Sequence, residues 1–132
     1  MTGPVPYLHL AGRAREALEF YADVFGGTAN LHTFAEFQRT DGDPEAIAHG
    51  YLSDSPVQLN AADVGTGEES LSTKGLMFAL LGTVPPAELQ RWFTRLSEGG
   101  TVVDDLQHRD WGANDGQVID RFGLHWLIGY ED

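Results

Sequence analysis

Two pairs of side chains near the start of the chain have the residue types and the spacing of a polar site. Tyr7 and His9 alternate with leucines, and His49 and Tyr51 also lie two residues apart. Residues two apart in a strand point to the same face, so each pair is predicted to share one. An imidazole beside a phenol is able to hydrogen-bond a ligand, move a proton or ligate a metal ion. A hydrogen-bonded structural histidine explains His49 as well, and Tyr7 and His9 face a cleft only if the leucines pack beneath a helix.

Further polar and aromatic residues interrupt the apolar segments. Gln58, Asn60 and Gln117 would orient a ligand, although exposed edge positions explain them equally well. His125 opposes Trp126 in parity, so only one of the two faces a cleft. A tryptophan beside a glycine-bounded loop would either stack on a ligand or cover one end of the fold. The candidate ligand-binding residues are Tyr7, His9, His49, Tyr51, Gln58, Trp111, Gln117 and His125, and no catalytic residue is assigned.

The overall composition limits the partners that the protein is able to bind. The 132 residues include 20 acidic and 8 basic ones, a formal net charge of -12. Such a field repels nucleic acid and anionic membranes and favours a cationic ligand, although solubility alone also explains an acidic surface. Without cysteine the chain has no disulfide, thiolate nucleophile or cysteine-bound metal. No apolar run is long enough to span a membrane and no export signal follows the first residues, so the expected location is the cytoplasm.

The first half of the chain has a β-α-β-β-β pattern that would position these residues. Apolar residues after Arg13 recur every three to four positions until Gly26-Gly27, as in an amphipathic helix with a glycine C-cap. The last two strands are joined by a short proline-containing turn, which is typical of a hairpin. The predicted strands are Val5–Leu10, Thr28–Phe37, Ala46–Leu52 and Val57–Ala61.

The second half repeats this order of elements. Gly75–Leu81 is predicted as a strand, and Pro85-Pro86 opens a second amphipathic helix. Gly-Gly-Thr follows both helices, and Gly50–Asp54 is echoed by Gly116–Asp120 before a final apolar strand. Because the whole order repeats, the sequence predicts two modules. The apolar residues of the second helix are Leu89, Trp92, Phe93 and Leu96.

These modules define an α+β fold with two β-α-β-β-β units in a single domain of residues 1–132. The modules comprise residues 5–63 and 75–130, and residues 64–74 form a linker rich in glycine, serine and threonine. One helix covers only one face of a small sheet. We expect the two modules to curve into a half-open sheet around a cleft for a small organic ligand. Strand edges left open by this arrangement predict a homodimer.

Several segments together resemble a known family. They are Pro6–Gly12, Ala14–Tyr21, Val24–Gly27, Ala46–His49, Arg91–Phe93, Trp111 and Gly116–Trp126. These segments are similar to the PhnB-like branch of the vicinal oxygen chelate superfamily, which includes glyoxalases, extradiol dioxygenases and bleomycin-resistance proteins. The resemblance covers nearly the whole chain and is weakest in the loop 41–45 and in the linker. It implies the same two-module fold and a homodimer, but no particular reaction.

The resemblance also locates the positions at which metal-dependent relatives bind a divalent ion. In those relatives, His, Glu or Gln side chains from the first and last strands of both modules converge on one ion, which holds two vicinal oxygens of the substrate. Here the first module offers His9, or Pro6 in the other register of the first strand, with Gln58 or Asn60. Gly75–Leu81 contains no ligand, and Leu127 stands where those relatives usually have Glu. One imidazole and one amide bind a divalent ion weakly. No metal and no other cofactor is therefore predicted.

Three functional hypotheses follow, and whether the protein is an enzyme stays open. The leading hypothesis is a small-molecule-binding protein that lacks the family metal site and has no assigned reaction. The second is a metal-dependent lyase, isomerase or dioxygenase with a site rebuilt from His9, His49 and His125. The third is a drug-sequestering protein of the bleomycin-resistance kind, whose acidic and aromatic groove captures a cationic drug. Hydrolase, nucleotide and zinc-protease motifs do not occur.

Overall fold

The computed structural model describes residues 3–132, so the first two residues of the predicted domain lie outside it. The chain divides into two compact units. The first unit ends at Ser72 and the second begins at Thr73. This boundary lies inside the segment 64–74.

The first unit contains five elements and one sheet. They are β1 (Tyr7–Leu10), α1 (Ala14–Phe25), β2 (Thr28–Thr33), β3 (Ile47–Ser53) and β4 (Asn60–Asp63). The strand order in the sheet is β1-β4-β3-β2, with β1 parallel to β4 and the other neighbours antiparallel. The antiparallel pairing of β3 with β4 confirms the predicted hairpin.

The second unit repeats this arrangement. Its elements are β5 (Phe78–Leu81), α2 (Pro86–Ser97), β6 (Thr101–His108), β7 (Ala113–Ile119) and β8 (His125–Glu131). The strand order is β5-β8-β7-β6, and β5 is parallel to β8. Two four-stranded mixed sheets, each with one helix, confirm the predicted α+β class and the order β-α-β-β-β.

Both helices bury the apolar stripes that their sequences predict. The buried residues are Ala14, Ala17, Leu18, Tyr21, Val24 and Phe25 in α1, and Leu89, Trp92, Phe93 and Leu96 in α2. The N-terminus of α1 is capped from a distance, because the Ala14 N–H donates a 2.9 Å hydrogen bond to the buried Asp63 carboxylate. Within residues 3–132 no helix is both long and apolar enough to cross a membrane.

The glycines after the two helices have the same structural role. A Cβ on Gly27 would collide with the carbonyl oxygen of Ser53, and a Cβ on Gly100 would collide with that of Ile119. Ser53 ends β3 and Ile119 ends β7, so in each unit the chain leaving the helix passes directly over the end of the third strand. The repeated Gly-Gly-Thr therefore reflects a repeated backbone contact.

The predicted strand Thr28–Phe37 is too long, since the strand ends at Thr33. The Thr33 hydroxyl accepts a 3.1 Å hydrogen bond from the Glu36 N–H, and the Arg39 N–H donates a 2.9 Å bond to the Phe34 carbonyl. These bonds close a turn. Phe34 is fully buried although it lies outside the strand, and that burial explains its apolar character in the sequence.

Four other predicted strands begin too early. The strands start at Tyr7 instead of Val5, at Ile47 instead of Ala46, at Asn60 instead of Val57, and at Phe78 instead of Gly75. Turn geometry explains the last two shifts: the Val57 N–H donates to the Ser55 hydroxyl at 3.2 Å, and Gly75 has φ of +77°. The fourth strand also continues to Asp63, two residues beyond the predicted end.

Candidate ligand-binding site

Strand register places the first group of candidate residues on the face of the sheet that α1 leaves open. Leu8 pairs with Ala61 and Ala61 with Gly50, where a Cβ would meet the Leu18 side chain of α1 at 2.5 Å. Their neighbours Tyr7, Asn60 and Tyr51 pair in the same way and therefore point to the opposite face. This agrees with the predicted packing of the leucines beneath the helix.

A row of aromatic and imidazole rings crosses this open face. Its members, in spatial order, are His9, Tyr7, His49, Tyr51, His32 and Phe37, and we call them the ring row. Successive ring centroids are 5.6, 5.6, 5.6, 6.5 and 5.8 Å apart, within the range of direct aromatic contact. The row joins strands β1, β3 and β2 and continues into the turn after β2. The structure thus brings together four of the sequence-predicted residues.

Tyr7 and His49 are joined by a hydrogen bond. The Tyr7 Oη lies 2.8 Å from the His49 Nδ1. Partial burial raises the pKa of the Tyr7 phenol, and the Arg39 charge opposes this effect. The phenol donates to an unprotonated Nδ1 or accepts from an Nδ1–H, and in either tautomer the Nε2 of His49 stays outside this bond. That Nε2 makes no hydrogen bond to another described residue and is available to a ligand.

A groove opens beside the middle of the ring row. It has a volume of about 440 Å³ and is lined by Val5, His49, Tyr51, Leu52, Gln58 and Asn60. A volume of this order fits a small organic molecule. Tyr51 and Asn60 are cross-strand partners in register, so a ring and a carboxamide stand side by side in its wall.

Arg39 lies near one end of the ring row and ties two loops together. Its guanidinium bonds Asp41 at 2.6 and 2.9 Å and Glu68 at 3.2 Å, and it lies 4.2 Å above the Phe34 ring. The pKa of Asp41 is lowered chiefly by the Arg39 hydrogen bonds, whereas that of Glu68 is lowered first by the Gly65 N–H and then by Arg39. The segment after β4 is also fixed to β1, because the Leu71 N–H donates a 2.6 Å hydrogen bond to the His9 carbonyl.

The second unit contains the other candidate residues in a different setting. Gln117 and His125 are bonded to each other, with 2.9 Å between Oε1 and Nε2. Leu127 pairs with Gln117 on one side and with Ala79 on the other, so an apolar side chain stands next to the bonded pair on this face of the second sheet. A separate groove of about 390 Å³ lies at the ends of β5, β7 and β8, lined by Leu81, Gly82, Ala113, Asn114, Asp115, Tyr130 and Glu131.

Trp111 lies in the turn between β6 and β7 and is 74% exposed. It is not among the residues that line either groove described above. Its role in ligand binding stays a prediction.

Sequence reasoning missed His32 and Arg39. His32 opposes His49 in the antiparallel pairing of β2 with β3, which is what adds it to the ring row. Its type was visible in the sequence, but its face depends on a register that only the folded sheet defines. Arg39 gave no signal beyond its position in a polar turn.

The chain matches one protein family over almost its whole length. Residues 7–128 match the family model of the glyoxalase/bleomycin resistance protein/dioxygenase superfamily. The chain belongs to this superfamily, which confirms the resemblance seen in the sequence.

Individual relatives cover almost the whole chain. The chain is 28% identical to the protein YjdN of Escherichia coli strain K12, over 93% of this chain and 91% of that one. The solved structure of protein PA1353 from Pseudomonas aeruginosa is 31% identical, with a TM-score of 0.84 and coverage of 99% and 98% of the two chains. A PhnB protein from Bacillus cereus shares the fold at 17% identity, with a TM-score of 0.78 and coverage of 98% and 99%.

The side chains at the positions where the resemblance places the family metal do not fit a divalent ion. In the first unit these positions are His9 and either Gln58 or Asn60. In the second unit β5 consists of the apolar segment Phe78–Leu81, and Leu127 occupies the position on β8. Apolar side chains cannot coordinate an ion. Across residues 3–132, no three His, Asp or Glu side chains are grouped closely enough to hold a metal.

Proposed function

We propose that the protein binds a small organic molecule in the groove of the first unit, without the metal ion of its metal-dependent relatives. The observation that carries this proposal is the groove itself, in which Tyr51 and His49 offer ring surfaces and Gln58 and Asn60 offer carboxamides. Recognition sites of small molecules commonly combine apolar and aromatic walls with a few polar groups that fix orientation. Membership of the superfamily supports a ligand-binding role and leaves the reaction unassigned.

Hydrogen bonding from His49 supports the same site. Tyr7 holds the imidazole by its Nδ1, so the ring is oriented before a ligand arrives. An oriented ring loses little conformational entropy on binding, which favours affinity. In this arrangement His49 and Tyr51 touch the ligand. Three other rings of the ring row hold them in position, namely those of Tyr7, His9 and His32.

The test is an NMR screen of protein treated with a chelator. Neutral, anionic and cationic aromatic compounds are added singly, and the ring signals of His49 and Tyr51 are followed, with His108 as the reference. We expect at least one compound to shift the His49 and Tyr51 signals in a saturable way and to leave those of His108 unchanged. Binding only after a divalent metal is restored would contradict the proposal.

Two substitutions locate the site further. Tyr51→Leu should weaken the binding of such a compound about tenfold or more, because one ring wall of the groove is lost. Tyr130→Leu removes an aromatic residue from the groove of the second unit and should leave binding unchanged. The reverse pattern would move the ligand to the second unit.

A metal measurement distinguishes the proposed metal-free binding protein from an enzyme that depends on a metal site rebuilt from histidines. After purification in metal-supplemented buffer, elemental analysis should find less than a tenth of an equivalent of zinc, iron, nickel or manganese, roughly the carry-over that weak amide and imidazole sites retain. Near one equivalent that is lost in His9→Ala or His49→Ala would favour the enzyme instead.

A further inference from the structure

The two carboxamides of the groove differ from most others in the molecule because they have no partner. Neither Gln58 nor Asn60 makes a side-chain hydrogen bond to another described residue. Other carboxamides are paired: that of Asn30 donates to Ser53 at 2.9 Å, that of Gln90 to Tyr130 at 2.7 Å, and that of Gln107 to Asp104 at 2.8 Å. Gln58 is exposed to water, whereas Asn60 is half-buried, so it is the unpaired carboxamide of Asn60 that indicates a hydrogen-bonding ligand.

The charge of the groove indicates that the ligand is neutral. None of its six lining residues has a formal charge when His49 is neutral. The surroundings are strongly acidic, since residues 1–72 contain eleven acidic residues and three arginines. That field opposes an anion, while the groove has no carboxylate to pair with a cation. A charged ligand would lose hydration without gaining a direct partner.

The two rings of the wall favour a planar ligand, because aromatic side chains stack best on flat groups. The His49 and Tyr51 rings line the same groove, with centroids 5.6 Å apart and planes tilted by 33° to each other. Asn60 stands beside Tyr51 in register, so a flat molecule against the rings presents its edge to the carboxamide. A carboxamide has an N–H donor next to a C=O acceptor, and the matching edge of a flat ring is a lactam, with N–H next to C=O.

We propose that the ligand of this groove is an uncharged, planar nitrogen heterocycle with a lactam edge, held by the carboxamide of Asn60 and by the rings of Tyr51 and His49. This inference rests on the proposed function and adds the chemical class of the ligand. Gln58, two residues before Asn60, provides a second carboxamide for a wider ligand with a further carbonyl or N–H group.

Three probes of equal ring size test this class. They are 2-quinolinone, which has the lactam edge; 1-methyl-2-quinolinone, which lacks the N–H; and the 1-methylquinolinium cation. Affinities are measured by NMR titration of the His49 and Tyr51 ring signals in chelator-treated protein. We expect 2-quinolinone to bind at least tenfold more tightly than either analogue, because N-methylation leaves the Asn60 carbonyl without its donor and the cation has no lactam.

Variants connect this preference to the carboxamides. In Asn60→Leu, 2-quinolinone should bind only about one to three times more tightly than its N-methyl analogue. Gln107→Leu removes an exposed carboxamide of the second unit and should keep the wild-type ratio of the two affinities. Thermal melting confirms that each variant is folded.

The outcomes separate the two proposals. Equal binding of both quinolinones, or tighter binding of the quinolinium cation, with His49 still shifted would overturn the lactam class and leave the groove as the binding site. If no probe here and no compound of the wider screen shifts His49 or Tyr51, the proposed function fails together with its ligand class.

Discussion

Arg39 links three loop and strand segments of the first unit. It bonds Asp41 in its own turn and Glu68 in the segment after β4, and that segment is fixed to β1 by the hydrogen bond between Leu71 and His9. Exposed ion pairs contribute little to stability on their own. Their role here is positional, since they fix the loops beside the His9 and Tyr7 end of the ring row.

Replacing Arg39 by Gln should therefore change the pKa values of the neighbouring carboxyl groups more than it changes the free energy of unfolding. The pKa of Asp41 should rise towards its ordinary value, and that of Glu68 should rise less, because the Gly65 N–H still stabilises its charge. Both pKa values are lowered in the folded protein, so the stabilising contribution is present above about pH 4 and is lost as the pH falls through the folded values. NMR titration of the side-chain carboxyls checks this, and an unchanged Asp41 would contradict it. Loss of the Arg39 charge should also raise the pKa of Tyr7 further.

For single residues, the sequence predicted on which face of a strand a side chain lies better than which residues that side chain contacts. Alternation was sufficient to place Tyr7 with His9 and His49 with Tyr51. The bond between Tyr7 and His49 spans 42 residues, and His32 joins the ring row only through the pairing of β2 with β3. Such contacts depend on register, which a local pattern does not contain. The unpaired state of Asn60 was equally invisible, since the same residue type is paired at Asn30.

At the scale of elements, each unit has one buried aspartate that binds backbone N–H groups. Asp63 accepts from Ala14 and Ile47 and so joins α1 and β3 to the end of β4. Asp120 accepts from Phe122 at 2.8 Å, from Leu124 at 3.1 Å and from the Trp126 indole at 2.8 Å, and so fixes the turn between β7 and β8. These bonds determine where strands begin and end.

Asp120→Asn should destabilise the protein by about 2 kcal/mol, because an amide N–H would face a buried donor and the charge-assisted bonds would be lost. Asp54→Asn is the matched control. Asp54 occupies the corresponding position after β3, but it is exposed, and the change should stay within about 0.5 kcal/mol. Urea unfolding measures both, and similar midpoints for the two variants would show that the Asp120 bonds contribute little.

The helix stripes provide a second prediction at this scale. Leu18 is fully buried against Gly50 and Phe93 is 8% exposed, so Leu18→Ala and Phe93→Ala should each cost roughly 2–5 kcal/mol through lost burial and a cavity. Glu19→Ala and Thr94→Ala, on the exposed sides of the same helices, should change the free energy of unfolding by less than about 0.5 kcal/mol. Unchanged denaturant midpoints in the first pair would contradict the packing described above.

Helix periodicity and capping glycines predicted both helices closely, because those signals are local. Strand ends were predicted less well. Phe34 looked like part of β2 because it is apolar, yet it is buried by the turn and covered by Arg39. A residue that is buried in a turn leaves no periodic pattern in the sequence. The end of this strand therefore could not be predicted from hydrophobic periodicity.

At the scale of the whole molecule, we predict a homodimer. The second unit exposes apolar side chains that water solvates poorly, including Leu81 at 55% and Val103 at 50%. Symmetric association is the common way to cover such surface. Sedimentation at tens of micromolar, an ordinary range for stable association, should give the mass of two chains. A single chain at that concentration would contradict the prediction.

A crystal structure of chelator-treated protein soaked with 2-quinolinone would show whether the groove of the first unit binds a planar ligand. The predicted result is ordered density for the ring against Tyr51 and His49, with its N–H and C=O within hydrogen-bonding distance of the Asn60 carboxamide and with no metal ion required. Density for the compound only in the groove of the second unit, or only after a divalent metal is added, would contradict metal-free binding in the first unit.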